Sequence, residues 1–355
     1  MHKVMNKDQD NGIIYSWNAL RFLFIWCIVY YHTNSGVFFK ENLSFLAEYG
    51  GYLGNYFFFF ISGVLISKRW KSKIINEKTS LNKFIIPRIL KFYPVYALGE
   101  LLVIFWMIIH SGIKSVSILR LLTDMLLITN GWFIPGNQVP YNFAAWFVCV
   151  LVLCYLLYFC ICKLSRRSDT LYFLINIFMF ILGLLLKRAD LSIPFMYRTT
   201  GEGYMCFFGG AVFCYLWEIY IKKHEKIFCI ISAAVLILII AGTVLIGAKA
   251  LWIDEGIIVV LISASCLFLT KHQKIQPVFK NPAVSFICGL SMEVYFLHIP
   301  VWLFYKDLIK ALGLEITDGV KYYVIFLIFL TAAAAVISFV LRLVKRKTAS
   351  AKWSF

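Results

Sequence analysis

Apolar runs long enough to cross a membrane recur along the whole of this chain, and they restrict it to very few folds. Hydrophobic residues make up 61% of the 355 positions and charged residues 15%, with a mean hydropathy of +0.80. A helix needs about 20 apolar residues to cross a hydrocarbon core of about 30 Å. Lipid offers no partners for backbone N–H and C=O groups, so such runs fold as helices. The sequence therefore predicts an all-α, polytopic transmembrane helix bundle.

The apolar runs divide the chain into about ten predicted spans. Segment 118–134 is apolar as well, and whether it crosses decides on which side every later loop lies. If it does not cross, the basic clusters KRWKSK, KLSRR and KKHEK share one side, which the positive-inside rule makes cytoplasmic. We therefore expect 118–134 to be re-entrant or interfacial. The predicted spans cover residues 16–36, 52–68, 88–109, 144–162, 170–186, 203–221, 227–246, 251–270, 283–305 and 321–344.

This topology gives one domain in the cell (inner) membrane, with both termini in the cytoplasm. Residues 1–13 are the expected cytoplasmic N-terminal segment, 14–345 the transmembrane domain and 346–355 a cytoplasmic tail. No small-residue cleavage site follows the first apolar run, which indicates a retained span and not a signal peptide.

Two other classes of site are disfavoured by the pattern. The net charge of +17 could suggest nucleic acid, but the basic residues cluster in loops between apolar runs and no binding module is visible. All ten cysteines fall within apolar runs, and none has the paired spacing of a zinc site. We expect no metal, no nucleic-acid partner and no permanently bound cofactor.

An arginine and a histidine lie eleven positions apart inside the first predicted span. Eleven helical steps turn roughly 1,100°, about 20° past three turns, so Arg21 and His32 share one face about 16 Å apart. Ionisable groups in a bilayer usually face a protein interior or a wet cavity. We expect both side chains to lie along one water-accessible path. Each residue also has a simpler interpretation. His32 could be a polar residue near the membrane interface, and Arg21 could extend its side chain to the inner headgroups.

Further candidates lie on the next two spans. Ser62 and Gly63 interrupt an aromatic block and allow either a ligand or another helix to approach closely. Arg88 and Lys91 are three residues apart, between Pro87 and Pro94. Two cations at a helix start suit the phosphates of a cytosolic donor, although retention on the cytoplasmic side explains them equally well.

Polar and aromatic residues also mark the later spans. Trp146 could be a site residue or a member of the interfacial belt. Ser291, Tyr295 and His298 follow at i, i+4 and i+7, hence on one helical stripe. Glu100 is an acid within a predicted span, for which a buried pair or a pathway role is open.

These motifs occur in an order that resembles a known family. R-x10-H in the first span, FFFISG in the second, R-x-x-K-x-Y-P at the third, the WF helix and S-x-x-x-Y-x-x-H near the end are similar to the acyltransferase-3 family of integral membrane acyltransferases. The resemblance covers about 14–345. One departure is Lys91, where the family often has arginine; lysine keeps the charge but loses the bidentate fork.

The resemblance implies transfer of an acyl group, acetyl by family habit, from cytosolic acyl-CoA to a hydroxyl of a cell-surface or lipid-linked glycan. It implies Arg21 and His32 as the essential catalytic pair and Arg88 and Lys91 as the residues near the donor. Ser62, Trp146, Tyr295 and His298 are candidates for the substrate site. A transporter or flippase for a lipid-linked sugar or small solute is the alternative, and a membrane scaffold is a third reading. The sequence does not reveal the oligomeric state.

Overall fold

The computed structural model describes residues 15–33, 44–133, 139–189, 191–246, 254–271, 276–314 and 319–351. This part of the chain is all-helical and contains no strand, as predicted. The predicted segment 1–13 and the last residues of the predicted tail lie outside the described residues. The helices are α1 (Tyr15–Thr33), α2 (Ser44–Ile75), α3 (Leu81–Ser111), α4 (Ile118–Met125), α5 (Trp146–Leu164), α6 (Asp169–Ala189), α7 (Arg198–Ile219), α8 (Glu225–Ile246), α9 (Glu255–Thr270), α10 (Gln276–Lys280), α11 (Pro282–Cys288), α12 (Ser291–Ala311) and α13 (Gly319–Ala351).

Each of the ten predicted spans overlaps a helix, but fewer helices qualify as spans on their own. Within the described residues, six are long and apolar enough to cross a membrane, or seven if the bent pair α11–α12 is one span. Helix α9 has 16 residues, and α1 and α7 carry ionisable residues along their length. A multi-pass membrane protein is therefore supported, whereas the count of ten is not. The six are α2, α3, α5, α6, α8 and α13.

Aromatic contacts fix the relative direction of the helices around the core. Phe84, near the start of α3, packs against Phe159, near the end of α5, with ring centroids 5.6 Å apart. Further along α3, Trp106 donates to Asp307 near the end of α12. Helices α3 and α5 are thus antiparallel, whereas α3 and α12 are parallel. The described part of the predicted segment, residues 118–133, therefore lies at one end of the bundle, between the end of α3 and the start of α5, as expected for a segment that does not cross.

Residues 118–133 fold as one short helix followed by turns. Helix α4 has eight residues and its exposed side chains include Ile118 and Leu119. The buried Asp124 accepts the backbone N–H of Tyr141 at 3.1 Å. Burial raises the pKa of Asp124 to about 6, against the lowering effects of that hydrogen bond and of Arg120. This segment caps one end of the bundle beside α3 and α5.

Basic side chains collect at the opposite end. Lys163 and Arg166, at the end of α5, pair with Glu77 after α2, and Lys71 of α2 pairs with Asp169 at the start of α6. We call this the basic end; Arg88 and Lys91 lie near it. It is the end that the sequence predicts to be cytoplasmic.

Candidate active site

A cavity of about 330 Å³ opens near the basic end between α1, α2, α3, α5 and α12. It brings together five of the candidates chosen from the sequence, which come from four different helices. We call it the Arg21 cavity. Those five candidates are Arg21, Ser62, Arg88, Lys91 and Tyr295.

Cations dominate the polar lining of the Arg21 cavity. Four basic side chains line it, and no carboxylate is among its described lining residues. The Nε atom of Arg21 is buried without a hydrogen-bond partner. The guanidinium of Arg88 lies 3.9 Å from the ring of Phe84 and 4.3 Å from that of Trp70, a packing that holds a cation without neutralising it. The cavity is therefore suited to an anion.

The fourth cation, Arg69, was missed in the sequence, where it is one residue of the KRWKSK cluster. It follows Ser62 and Ile66 on α2 at i+7 and i+3, so the three share one helical stripe, and all three line the cavity. Extending the stripe from Ser62 would have found it.

Arg88 and Lys91 do not lie at a helix start. Helix α3 begins at Leu81, with Ser80 as its N-cap, and Pro87 lies inside it. The two cations are therefore about two to three turns into the helix. The helix-terminus argument for phosphate binding does not hold here, and the case rests on their charge and their place in the cavity.

His32 and Trp146 line a second, smaller cavity of about 260 Å³. We call it the His32 cavity. Its other polar groups include Asn55, Arg198 and Glu202, which the sequence analysis did not select. Arg198 and Glu202 face each other at i, i+4, with 3.4 Å between Nε and Oε1. The sequence did contain a signal for this pair, since the two opposite charges lie four residues apart at the start of a largely apolar helix.

The expectation of one continuous path from Arg21 to His32 is wrong for the described residues. The two cavities have no lining residue in common. Phe58, Phe147 and Tyr295 line the Arg21 cavity and pack together with centroids 5.7 to 6.4 Å apart. The Tyr295 ring lies 6.0 Å from that of His298, which stacks on His32. Helical geometry puts Arg21 and His32 on one face, but side chains from other helices divide that face.

The comparison with protein families decides what kind of protein this bundle is. The family model of an acyltransferase domain matches residues 14–343, nearly the whole chain. The chain belongs to the acyltransferase-3 family. No curated protein and no solved structure matches it in the corresponding searches.

A second histidine lies against His32 in this acyltransferase. The rings of His32 and His298 stack with centroids 5.4 Å apart and an angle of 29°. His298 is fully buried, and its Nδ1 atom lies 2.6 Å from the carbonyl oxygen of Tyr295. Since only a protonated Nδ1 can donate to that carbonyl, the Nε2 atom of neutral His298 carries the lone pair. That Nε2 has no hydrogen-bond partner in the part of the chain that the structure describes.

The residues of the predicted stripe on α12 thus face two different cavities. Ser291 and Tyr295 line the Arg21 cavity, and the Tyr295 hydroxyl donates to the carbonyl oxygen of Ala144. His298, one turn further on, contacts His32 instead. Helix α12 therefore connects the two cavities through adjacent turns.

The small pair on α2 divides in the same way. Ser62 lines the Arg21 cavity. A β-carbon on Gly63 would lie 1.9 Å from the carbonyl oxygen of Phe207, so Gly63 lets α2 and α7 pack backbone to backbone. The helix-packing interpretation is confirmed for Gly63, whereas the approach of a ligand to Ser62 stays a prediction.

Glu100 has a positioning role that the sequence left open. Its Oε2 atom accepts the backbone N–H of Asn142 at 2.9 Å, while the Asn142 amide donates to the carbonyl oxygen of Phe296. The adjoining Phe143 ring lies 5.0 Å from the His32 ring. Glu100 thereby fixes the segment that forms one wall beside His32.

Proposed function

We propose that this acyltransferase moves an acetyl group from cytosolic acetyl-CoA to a hydroxyl of a cell-surface or lipid-linked glycan. The single observation that carries the proposal is the Arg21 cavity, with four cations and no carboxylate among its described lining residues. Such a cavity fits the phosphates of a CoA donor. The family supplies the acyl transfer; the donor and acceptor are our inference.

The donor would enter from the basic end. Arg88 and Lys91, nearest that end, would bind its phosphates, with Arg69 beside them. Arg21 is on α1, and its guanidinium, whose Nε atom is buried without a partner among the described residues, would bind a further phosphate oxygen of the donor. A buried polar nitrogen without a partner is costly, and an anionic ligand would provide one.

His32 would act as the general base. Neutral imidazole takes the proton of the acceptor hydroxyl as its oxygen attacks the thioester carbonyl. The C–S bond then breaks, and the CoA thiolate leaves and receives the proton from the imidazolium. The products are an O-acetyl ester and free CoA, and His32 returns to its neutral form.

The separation of the two cavities adds a requirement. Arg21 and His32 are about 16 Å apart along α1, and the packed rings of Phe58, Phe147 and Tyr295 line the cavity on the Arg21 side. For the thioester to reach His32, at least one of these rings has to move aside.

A transporter or flippase for a lipid-linked sugar remains the second candidate, and one observation favours it. Two cavities at opposite ends of α1, with no lining residue in common, also suit a carrier that opens alternately to the two sides. A carrier would move its solute unchanged, whereas the proposed enzyme leaves an ester on it.

The deciding experiment incubates the purified full-length chain with acetyl-labelled acetyl-CoA and envelope glycan from cells that lack the protein. We expect label in the glycan as an ester that mild alkali releases, together with one free CoA thiol per ester. Sealed liposomes that take up labelled lipid-linked sugar without forming any ester would instead support the carrier.

A further inference from the structure

The His32 cavity differs in charge from the Arg21 cavity. Its one cation, Arg198, faces a carboxyl that is itself almost completely buried: Glu202 is 4% exposed. The next cation, Lys187, is paired with Asp254 at 2.8 Å and with Glu255 at 2.7 Å. Every cation near this cavity thus has a carboxylate beside it. Its described lining holds one cation, whereas four line the Arg21 cavity.

The cavity does offer an unused hydrogen-bond acceptor. Asn55 lines it and is 6% exposed, yet its Oδ1 atom has no partner among the described residues. A buried amide oxygen left without a donor is energetically unfavourable. A ligand hydroxyl would satisfy it, and the rings of Tyr52 and Trp146 provide apolar faces beside it.

We propose that the His32 cavity binds one uncharged sugar ring and that Asn55 and Glu202 select it. This inference rests on the proposed function, because it places the acceptor hydroxyl beside His32. The cavity volume of about 260 Å³ lies just below the range of about 300–1,000 Å³ of pockets that bind drug-sized ligands. A cavity of this size suits one sugar ring rather than a chain of several. An acidic sugar would bring a second carboxylate against Glu202 with no free cation to receive it.

Matched pairs of sugars test the charge selection directly. Methyl glucoside, galactoside and mannoside are compared with the corresponding methyl uronides, which differ in having a carboxylate in place of the hydroxymethyl group. Saturation-transfer NMR on the full-length protein in detergent measures their binding. We expect signals from at least one neutral glycoside and a signal at least tenfold weaker from its uronide. Equal or stronger uronide signals, or no signal from any glycoside, overturn the proposal.

Two variants separate the selecting residues. Asn55→Leu keeps the volume but removes the acceptor, and we expect about tenfold weaker glycoside binding. Asn176→Leu is the matched control, since Asn176 is a fully buried asparagine of α6 whose Oδ1 also lacks a partner but which lines neither cavity. Glu202→Gln is expected to admit the uronide. Unchanged glycoside binding in Asn55→Leu, or continued exclusion of the uronide by Glu202→Gln, contradicts the assignment.

Titration of the same samples with CoA distinguishes this inference from the proposed function. CoA binding without glycoside binding overturns the sugar site alone. Glycoside binding without CoA binding leaves the sugar site in place and removes the donor assignment.

Discussion

His298 presents a buried Nε2 lone pair, without a partner among the described residues, beside His32, and the two rings stack at 5.4 Å with an angle of 29° between their planes. When His32 takes a proton it becomes a partly buried cation. The described residue best placed to accept a hydrogen bond from that cation, after a rotation of the His32 ring, is His298.

We therefore expect His298→Phe to lower kcat by about 100-fold, at the low end of what acid–base partners contribute. Phenylalanine keeps a stacked ring but has no lone pair, so the melting temperature and the Kd for CoA should stay close to the wild-type values. A variant with normal kcat would show that the second histidine is only a packing residue.

Removing a cation from the Arg21 cavity should weaken donor binding. Arg88→Ala is expected to raise the Kd for CoA by about tenfold or more, since hydrogen bonds to charged groups contribute about 1.5–3 kcal/mol. Calorimetric titration of the purified protein measures it. Arg167→Ala is the control, because Arg167 also lies at the basic end but does not line the cavity. The same Kd in both variants would remove the donor assignment.

Lys91→Arg tests the departure from the family pattern. Arginine restores a planar fork that binds phosphate with two hydrogen bonds, so we expect CoA to bind several-fold more tightly with kcat unchanged. Weaker binding in this variant would indicate that Lys91 does not contact the phosphates.

Asp124 should make stability depend on pH. Its pKa, raised by burial to about 6, lies above the unfolded value of about 3.9, so the folded state binds the proton more tightly. The stabilisation from the protonated form is complete below about pH 4 and is lost as the pH rises through about 6. We expect the melting temperature of the wild type, relative to Asp124→Asn, to fall by a few degrees over this window. A constant difference from pH 4 to pH 7 would contradict this.

The sequence predicted the parts of the fold and site that depend on one helix at a time. The helical class followed from the apolar runs, and Arg21 stood out as a cation within a predicted span. That it lines one cavity with Ser62 and Tyr295 depends on contacts between helices and was not predicted. The behaviour of 118–134 followed from where the basic clusters fall, because charge in loops reports on topology.

What the sequence did not predict depends on contacts between helices. The rings of Phe58 and Phe147 come from α2 and α5, so no pattern within α1 could show that they divide the Arg21–His32 face. The Asn55–Glu202 cavity likewise combines α2 and α7. Pro87 suggested a helix start, but α3 begins about two turns earlier, after the Ser80 cap, so Pro87 lies inside the helix.

The most direct test of the account is acetyl transfer by His32→Ala at matched protein levels. With labelled acetyl-CoA and envelope glycan, we predict that ester formation falls by about 100-fold or more, while insertion into the membrane and the Kd for CoA remain at wild-type values. Ester formation by His32→Ala at the wild-type rate would contradict the central claim that this imidazole removes the proton from the acceptor hydroxyl.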